Sequence, residues 1–220
     1  MSNDFWFSMA IAVVVGGFWL YKKGKNAVLT IRKIHRSFKG VCLNPKSKLS
    51  DEQCKKLAVG AMYASQQGAY QNSIETGISD LLPKILGEWW GIESTDAAKE
   101  ELDYLCEKGY RYYFPFVYQA FLLGKPEAQD EIFQQNMTSQ EDYDKIVAQF
   151  QNLQETFDEL IRCKVVAEKE ELLHYGVAGW DAGRICFLAR ACCEMGYITE
   201  AEAWKYIDLA YNMAHSTFSS

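Results

Sequence analysis

Two hydrophobic patterns divide the chain. Phe5 to Tyr21 (FWFSMAIAVVVGGFWLY) runs for 17 residues without a charge. From about residue 50 onward, apolar positions recur instead at three- and four-residue spacing, as in helices that bury one face. That spacing predicts helices over 51–67, 79–87, 95–108, 110–123, 139–163, 178–195 and 200–215. No run alternates as a strand does, apart from a short candidate at CKVVA, residues 163–167. The pattern therefore predicts an all-α fold. It is an irregular helical bundle of about six to seven helices behind one N-terminal transmembrane helix.

Helix ends mark themselves. SDEQ (Ser50 to Gln53), TSQE (Thr138 to Glu141) and TEAE (Thr199 to Glu202) match the capping box. In that motif the first side chain accepts from the backbone three residues on and the last reaches back. Gly109 and Gly196 stand where a helix ends in a left-handed residue. Pro115, inside YRYYFPFVYQAF, is expected to start or kink a helix rather than sit within one. The aromatic residues around it read as core.

The uncharged run forms a helix about 26 Å long at ~1.5 Å per residue, at the short end of what crosses a bilayer. Trp6, Trp19 and Tyr21 stand at its ends, where amphipathic rings favour the headgroup zone. Seven basic residues follow between Lys22 and Lys39, while the start, MSND, has none. A cleaved leader has the opposite polarity. The reading is a membrane anchor over 1–22, in contact with the lipid bilayer through residues 5–21. A basic juxtamembrane segment over 23–49 and an all-helical domain over 50–220 follow. The basic flank places the domain in the cytoplasm. Within 26–38, apolar residues Val28, Ile31, Ile34 and Phe38 share one side. A helix lying on the membrane surface and a plain basic linker both fit.

Charge and cysteine content sharpen this picture. Residues 1–50 hold nine Lys or Arg and one acid, Asp4, a net +8; residues 51–220 hold 14 and 28, a net −14, which together give the −6 of the whole chain. An acidic body repels phosphate, so no nucleic-acid partner is expected. At 49% hydrophobic residues the chain is too apolar for disorder. Seven cysteines, irregularly spaced and without a C-x-x-C, imply buried thiols rather than disulfides or structural zinc.

The densest stretch is GWDAGRICFLARACCEMGYITEAEAW, residues 179–204. On a helical wheel, Ile185, Leu188, Ala189, Cys192 and Met195 fall within about 80° of Asp181, and Arg184 shares that apolar face. Arg190 and Glu194 fall opposite and read as a surface pair. Asp181 and Arg184 have two readings. They form a structural ion pair, or they line a polar pocket where Arg184 holds a carboxylate or phosphate and Asp181 orients it or acts as a base. The candidate polar site is therefore Asp181, Arg184 and Arg190. The rest, GYITEAEAW, is explained by folding: Gly196 ends a helix, Thr199 and Glu202 form a capping box, and Trp204 packs back.

These residues carry a resemblance. WDAGR, LAR and GYITEAEAW, with LGEWWGIES and LDYLCEKGY upstream, resemble the bacterial domain-of-unknown-function family 1266 over roughly residues 50–218. The signature comprises Trp90, Trp180, Asp181, Gly183, Arg184, Arg190, Gly196, Ile198, Thr199, Glu202 and Trp204, with Ile92, Leu102 and Leu105. The resemblance implies a helical domain, names no reaction, and fits a single-pass protein of the bacterial inner membrane. Family members run on past the point where this chain ends in STFSS, so a final helix is expected to be missing.

Chemistry elsewhere is sparse. His35, His174 and His215 form no H-E-x-x-H or H-x-x-x-H pair, and no phosphate-binding or nucleophile-elbow motif appears. Glu170, Glu171 and His174 lack a second arm of ligands, so no metal and no cofactor is implied. Cys186, Cys192 and Cys193 read as core. LGEWWG sets Glu88 beside Trp89 and Trp90, at an aromatic core edge or a binding groove. The leading expectation is a membrane-anchored cytosolic module whose partner is another protein. The alternative is a small-ligand-binding or enzymatic domain using an Asp/Arg pocket at 181–190. A toxin or immunity protein is a third class, for which no residue argues.

Overall fold

A computed structural model describes residues 41–218. The expected anchor at 5–21 and the basic segment at 26–38 lie outside the described residues. Among those described, no helix is long and apolar enough to cross a membrane.

The described residues are all-α, with no strand among them. Helices α1 (Asp51–Ala58) and α2 (Ala61–Gln67) are followed by a long loop and the single turn α3 (Leu82–Lys84), which runs into a π-helix, Ile85–Trp89. Then come α4 (Thr95–Glu107), α5 (Gly109–Leu123), α6 (Pro126–Asn136) and α7 (Gln140–Arg162). A 3₁₀ turn (Lys169–Glu171) leads into α8 (Leu172–Tyr175), and α9 (Ala178–Glu194) and α10 (Glu200–Thr217) close the chain.

Several elements differ from expectation for local reasons. The expected helix over 51–67 is two helices, because Gly60 breaks it. A Cβ at Gly60 would stand 2.8 Å from the Cys186 sulfur, so only a glycine lets this corner meet α9. Helix α6 was not expected. CKVVA forms no strand, and Lys164 within it has a positive φ of 56°. The second cap is one residue later than TSQE: Ser139 accepts from the Asp142 N–H. The boxes at Ser50/Gln53 and Thr199/Glu202 form as read.

Pro115 lies inside α5 rather than at its start. A proline there leaves the carbonyl four residues back without its helical donor. The helix survives because it is held from both sides. Tyr113, Phe114 and Val117 are buried on one flank, and Asp181 grips its first turn from α9.

Two cores result. The first surrounds α9, which packs most extensively on α10 and also meets α2, α4 and α5. The second joins α5, α6 and α7 through Phe121, Phe133, Ile146 and Phe150. In the second, Asp142 accepts from Tyr113 Oη (2.6 Å), Lys108 Nζ and Ser139 Oγ. The Tyr113 hydrogen bond, with those from Lys108 and Ser139, holds this carboxyl below its ordinary range.

Helix α9 is the centre of the molecule, and every residue from Asp181 to Cys192 is buried. The helix therefore has no solvent face, and this corrects the reading of Arg190. Arg190 is fully buried, not on the surface, and it does not pair with Glu194. Its Nη2 donates to the carbonyls of Tyr70 (2.6 Å) and Glu75 (3.1 Å), and its Nε to that of Ile74 (3.4 Å). One turn on, Glu194 accepts from the Thr76 N–H and hydroxyl at 2.6 and 2.7 Å. Both side chains clasp the loop between α2 and α3. Arg190→Met leaves three carbonyls without this donor, and a loss of roughly 3 kcal/mol or more is expected. Thermal unfolding measures it, and a loss under about 1 kcal/mol would mean that water replaces the guanidinium.

Candidate functional site

Asp181 stands in the first turn of α9 and is completely buried. Its Oδ1 accepts from the Tyr110 N–H at 3.0 Å and from Arg184 Nη2 at 2.5 Å. Its Oδ2 accepts from the Arg111 N–H at 2.8 Å and from Arg111 Nη1 at 3.4 Å. The carboxylate thus caps α5 from a different helix, satisfying amides that a helix start leaves open. Gly109 makes the approach possible. Its φ is +56°, and a Cβ there would stand 2.5 Å from Asp181 Oδ2. Arg111 is tied in turn to the carbonyls of Leu105 (2.7 Å) and Cys106.

The charged residues of the motif Asp-Ala-Gly-Arg have separate tasks. Asp181 faces α5. At Gly183 a Cβ would make only ordinary contacts, 3.6 Å from the Val59 carbonyl and 3.9 Å from Tyr63 Cβ. Arg184 turns toward a cavity. Its guanidinium lies 4.1 Å from the Tyr110 ring centroid and 5.8 Å from that of Trp90. Arg184 is only 7% exposed, and its Nε is buried without a hydrogen-bond partner.

The cavity measures about 460 Å³ and is lined by Tyr63, Trp89, Trp90, Glu101, Tyr104, Tyr110, Lys145, Trp180 and Arg184. That volume is in the range of small-molecule sites, ~300–1,000 Å³. Six elements supply the walls: α2, the π-helix and its end, α4, α5, α7 and α9 converge where the two cores meet. Trp89 ends the π-helix and Trp90 follows it, and such bulges recur at functional sites. Trp180 packs edge-on against Tyr63 with centroids 5.4 Å apart. Lys145 lies 3.9 Å over the Tyr104 ring and 2.7 Å from Glu141. Glu101 has neither a hydrogen bond nor an ion pair among the described residues, and burial pushes its carboxyl above the ordinary range. A second hollow of about 670 Å³ shares Trp90, Glu101, Tyr104 and Lys145 with the first. It continues past Glu100, Asp103, Glu107 and Asp142.

The structure brings Asp181, Arg184, Trp90 and Trp180 of the expected residues to this place. Arg190 is not among them; it holds the loop described above. Gly196 has a φ of +75° and ends α9, and Thr199 and Glu202 form the capping box. Trp204 donates from Nε1 to Glu200. Those residues serve the α9–α10 hairpin. Sequence reasoning missed Tyr63, Glu101, Tyr104, Tyr110 and Lys145, which come from helices far apart in the chain. Of the cysteines, Cys186 and Cys192 are buried; burial pushes the thiol of Cys186 up, and that of Cys192 up to about 12. Neither is poised as a nucleophile. Among the described residues, no group of three or more His, Cys, Asp or Glu is placed to hold a metal ion.

The model of the family described as "Protein of unknown function (DUF1266)" matches residues 85–220, more than half of the chain, and the chain belongs to that family. Every cavity-lining residue except Tyr63 lies within the matched span. No curated protein and no solved structure matches the chain.

Two outcomes follow from this geometry. Asp181 gathers four donors and Arg184 uses one bond, so their losses should be unequal. Asp181→Ala strands the buried Arg184 charge and the two open amides of α5 and should cost about 3–5 kcal/mol. Arg184→Met should cost roughly 1 kcal/mol, near the net worth of one hydrogen bond. Denaturant unfolding of both variants decides, and equal losses would mean a simple two-residue ion pair.

Glu101 gives the second outcome. A carboxyl raised by burial holds more protons folded than unfolded, so stability declines as pH rises from the unfolded value through the folded one. Glu101→Gln should therefore melt higher than the wild type at pH 7. The difference should close below about pH 4, where both side chains are neutral. A lower melting temperature at pH 7 would mean that the carboxylate is held by a partner.

Proposed function

We propose that the chain is a membrane-tethered helical domain that binds a small anionic ligand in the cavity around Arg184. One observation carries the reading. A guanidinium that is almost fully buried, fixed by Asp181 and stacked on Tyr110, lines an aromatic cavity with hydrogen-bonding capacity unspent. A buried donor without a partner is costly. A carboxylate or phosphate placed against the guanidinium would be bound by charge-assisted hydrogen bonds. The Arg111–Asp181–Arg184 cluster supports this, because two cations share one carboxylate there and an excess positive charge remains. Asp181 is committed to α5, so its part in the site is to orient Arg184, not to act as a base.

The tether is the other half of the proposal. Its support is the uncharged run at 5–21, the aromatic residues at both ends and the basic flank, which argue for a single span with the domain in the cytoplasm. The partner protein expected from the sequence is favoured by one feature. The hollow next to the cavity carries Glu100, Glu101, Asp103, Glu107 and Glu141, and this suits a basic segment of another chain.

The test uses the detergent-solubilised full chain, with tryptophan fluorescence as the readout, since three tryptophans line the cavity. Benzoate, 3-phenylpropionate and phenyl phosphate are the probes. A saturable change is expected for at least one, weakened at least roughly tenfold in Arg184→Met, as befits the loss of a charged hydrogen-bond donor. Absence of saturation with all three, or a response indifferent to Arg184→Met, would falsify the ligand reading.

A further inference from the structure

The cavity holds an acid as well as a base, and the acid has no structural task. Lys145 is already matched by Glu141 at 2.7 Å, and Arg184 by Asp181. Glu101 neutralises neither at ion-pair distance and accepts no hydrogen bond among the described residues, yet it lines both hollows. A partly buried carboxylate that no donor contacts directly, and that Lys145 and Arg184 attract only from beyond ion-pair distance, carries a cost that water relieves only in part. Around it stand the rings of Trp90, Tyr104 and Trp180, whose faces attract a cation.

We infer that the ligand is a small zwitterion, with its acid group on Arg184 and its cationic nitrogen against Glu101 and the tryptophan rings. This rests on the anion-binding reading above and adds the second pole. Two ligand sources share the chemistry: a free α-amino acid with an apolar side chain, and a phosphocholine-type headgroup. Both place an acid and an ammonium on one compact body. Aromatic walls suit the apolar side chain of the first and the quaternary nitrogen of the second. A simple anion leaves Glu101 unmatched and adds a like charge beside it. A simple cation makes no use of the Arg184 guanidinium beyond its single bond to Asp181. Only a ligand with both charges engages both residues.

The experiment compares each zwitterion with its single-charge counterparts on the detergent-solubilised full chain, by calorimetry and tryptophan fluorescence. Phenylalanine is set against 3-phenylpropionate and phenethylamine, and phosphocholine against choline and inorganic phosphate. One zwitterion should bind roughly tenfold tighter than either of its counterparts, as a charge-assisted contact at each end requires. Glu101→Gln should remove that advantage without weakening 3-phenylpropionate or phosphate, which lose a like charge beside them, and Arg184→Met should weaken both. Which zwitterion shows the advantage tells the amino acid from the headgroup. If an anion binds through Arg184 but neither zwitterion binds tighter, the inference is overturned and the anion site stands. If no probe binds through Arg184, both are overturned. Melting curves, with Glu101→Gln at or above the wild type and Arg184→Met only slightly below it, keep a folding defect from imitating either result.

Discussion

A helix buried on every side carries three buried charged side chains, and the structure is organised around giving each of them partners. Burying an isolated ion costs several kcal/mol even after relaxation. Helix α9 solves this three times in different ways. Asp181 takes the open amides at the start of α5, together with Arg111 and Arg184. Arg190 takes backbone carbonyls from the loop between α2 and α3. Arg184 takes a single carboxylate oxygen and two aromatic rings. The first two solutions use neighbouring backbone, and so they fix where that backbone lies. The relative placement of α5, α9 and the loop leading to the π-helix is therefore largely an electrostatic matter, set by ions that have nowhere else to go.

The cavity is a consequence of that placement. Asp181 draws the start of α5 against α9 and brings the Tyr110 ring over Arg184. Arg190 and Glu194 pin the loop that delivers the π-helix with Trp89 and Trp90. The second core supplies α7 and, with it, Lys145 over Tyr104. None of these contacts closes the gap between the two cores, and the residues around it keep unequal degrees of satisfaction. Asp181 is fully supplied with donors by its neighbours, whereas Arg184 and Glu101, which line the cavity, are bonded less completely; Arg190, which does not line it, also keeps its buried Nη1 without a partner.

Much of the fold was legible because its signals are local. Capping boxes at Ser50 and Thr199, glycine ends at Gly109 and Gly196, and helical spacing depend on residues within a few positions of each other. Helix α6 escaped notice because only Ile132 and Phe133 are buried in it, too few to show a periodicity, although Pro126 at its first position was a start signal. Arg190 was misplaced by an argument that is sound only for a helix with a solvent face. A wheel sorts residues into inside and outside, and α9 has no outside. The Asp181–Arg184 neighbourhood was found because the two share one helix turn. Its partners Tyr63, Glu101, Tyr104, Tyr110 and Lys145 were not, since only the folded chain brings them together.

The family match extends this reasoning from the chain to its design. It begins at Ile85, where the π-helix begins, and spans all of the second core, the part of the first from Ile85 onward, and all of α9. A π-helix is less favourable than the α-helix it interrupts, and its survival calls for compensation. Here the compensation is visible as burial of Ile85 and Leu86 beneath it, while Trp89 and Trp90 are carried out to the cavity. A domain built only for stability would have an α-helical turn there, an apolar residue at 101 and a fully bonded arginine at 184. The departures occur together at one hollow, although they come from three different elements. Selection for stability gives no reason for such a coincidence, whereas the ligand proposed above would give one.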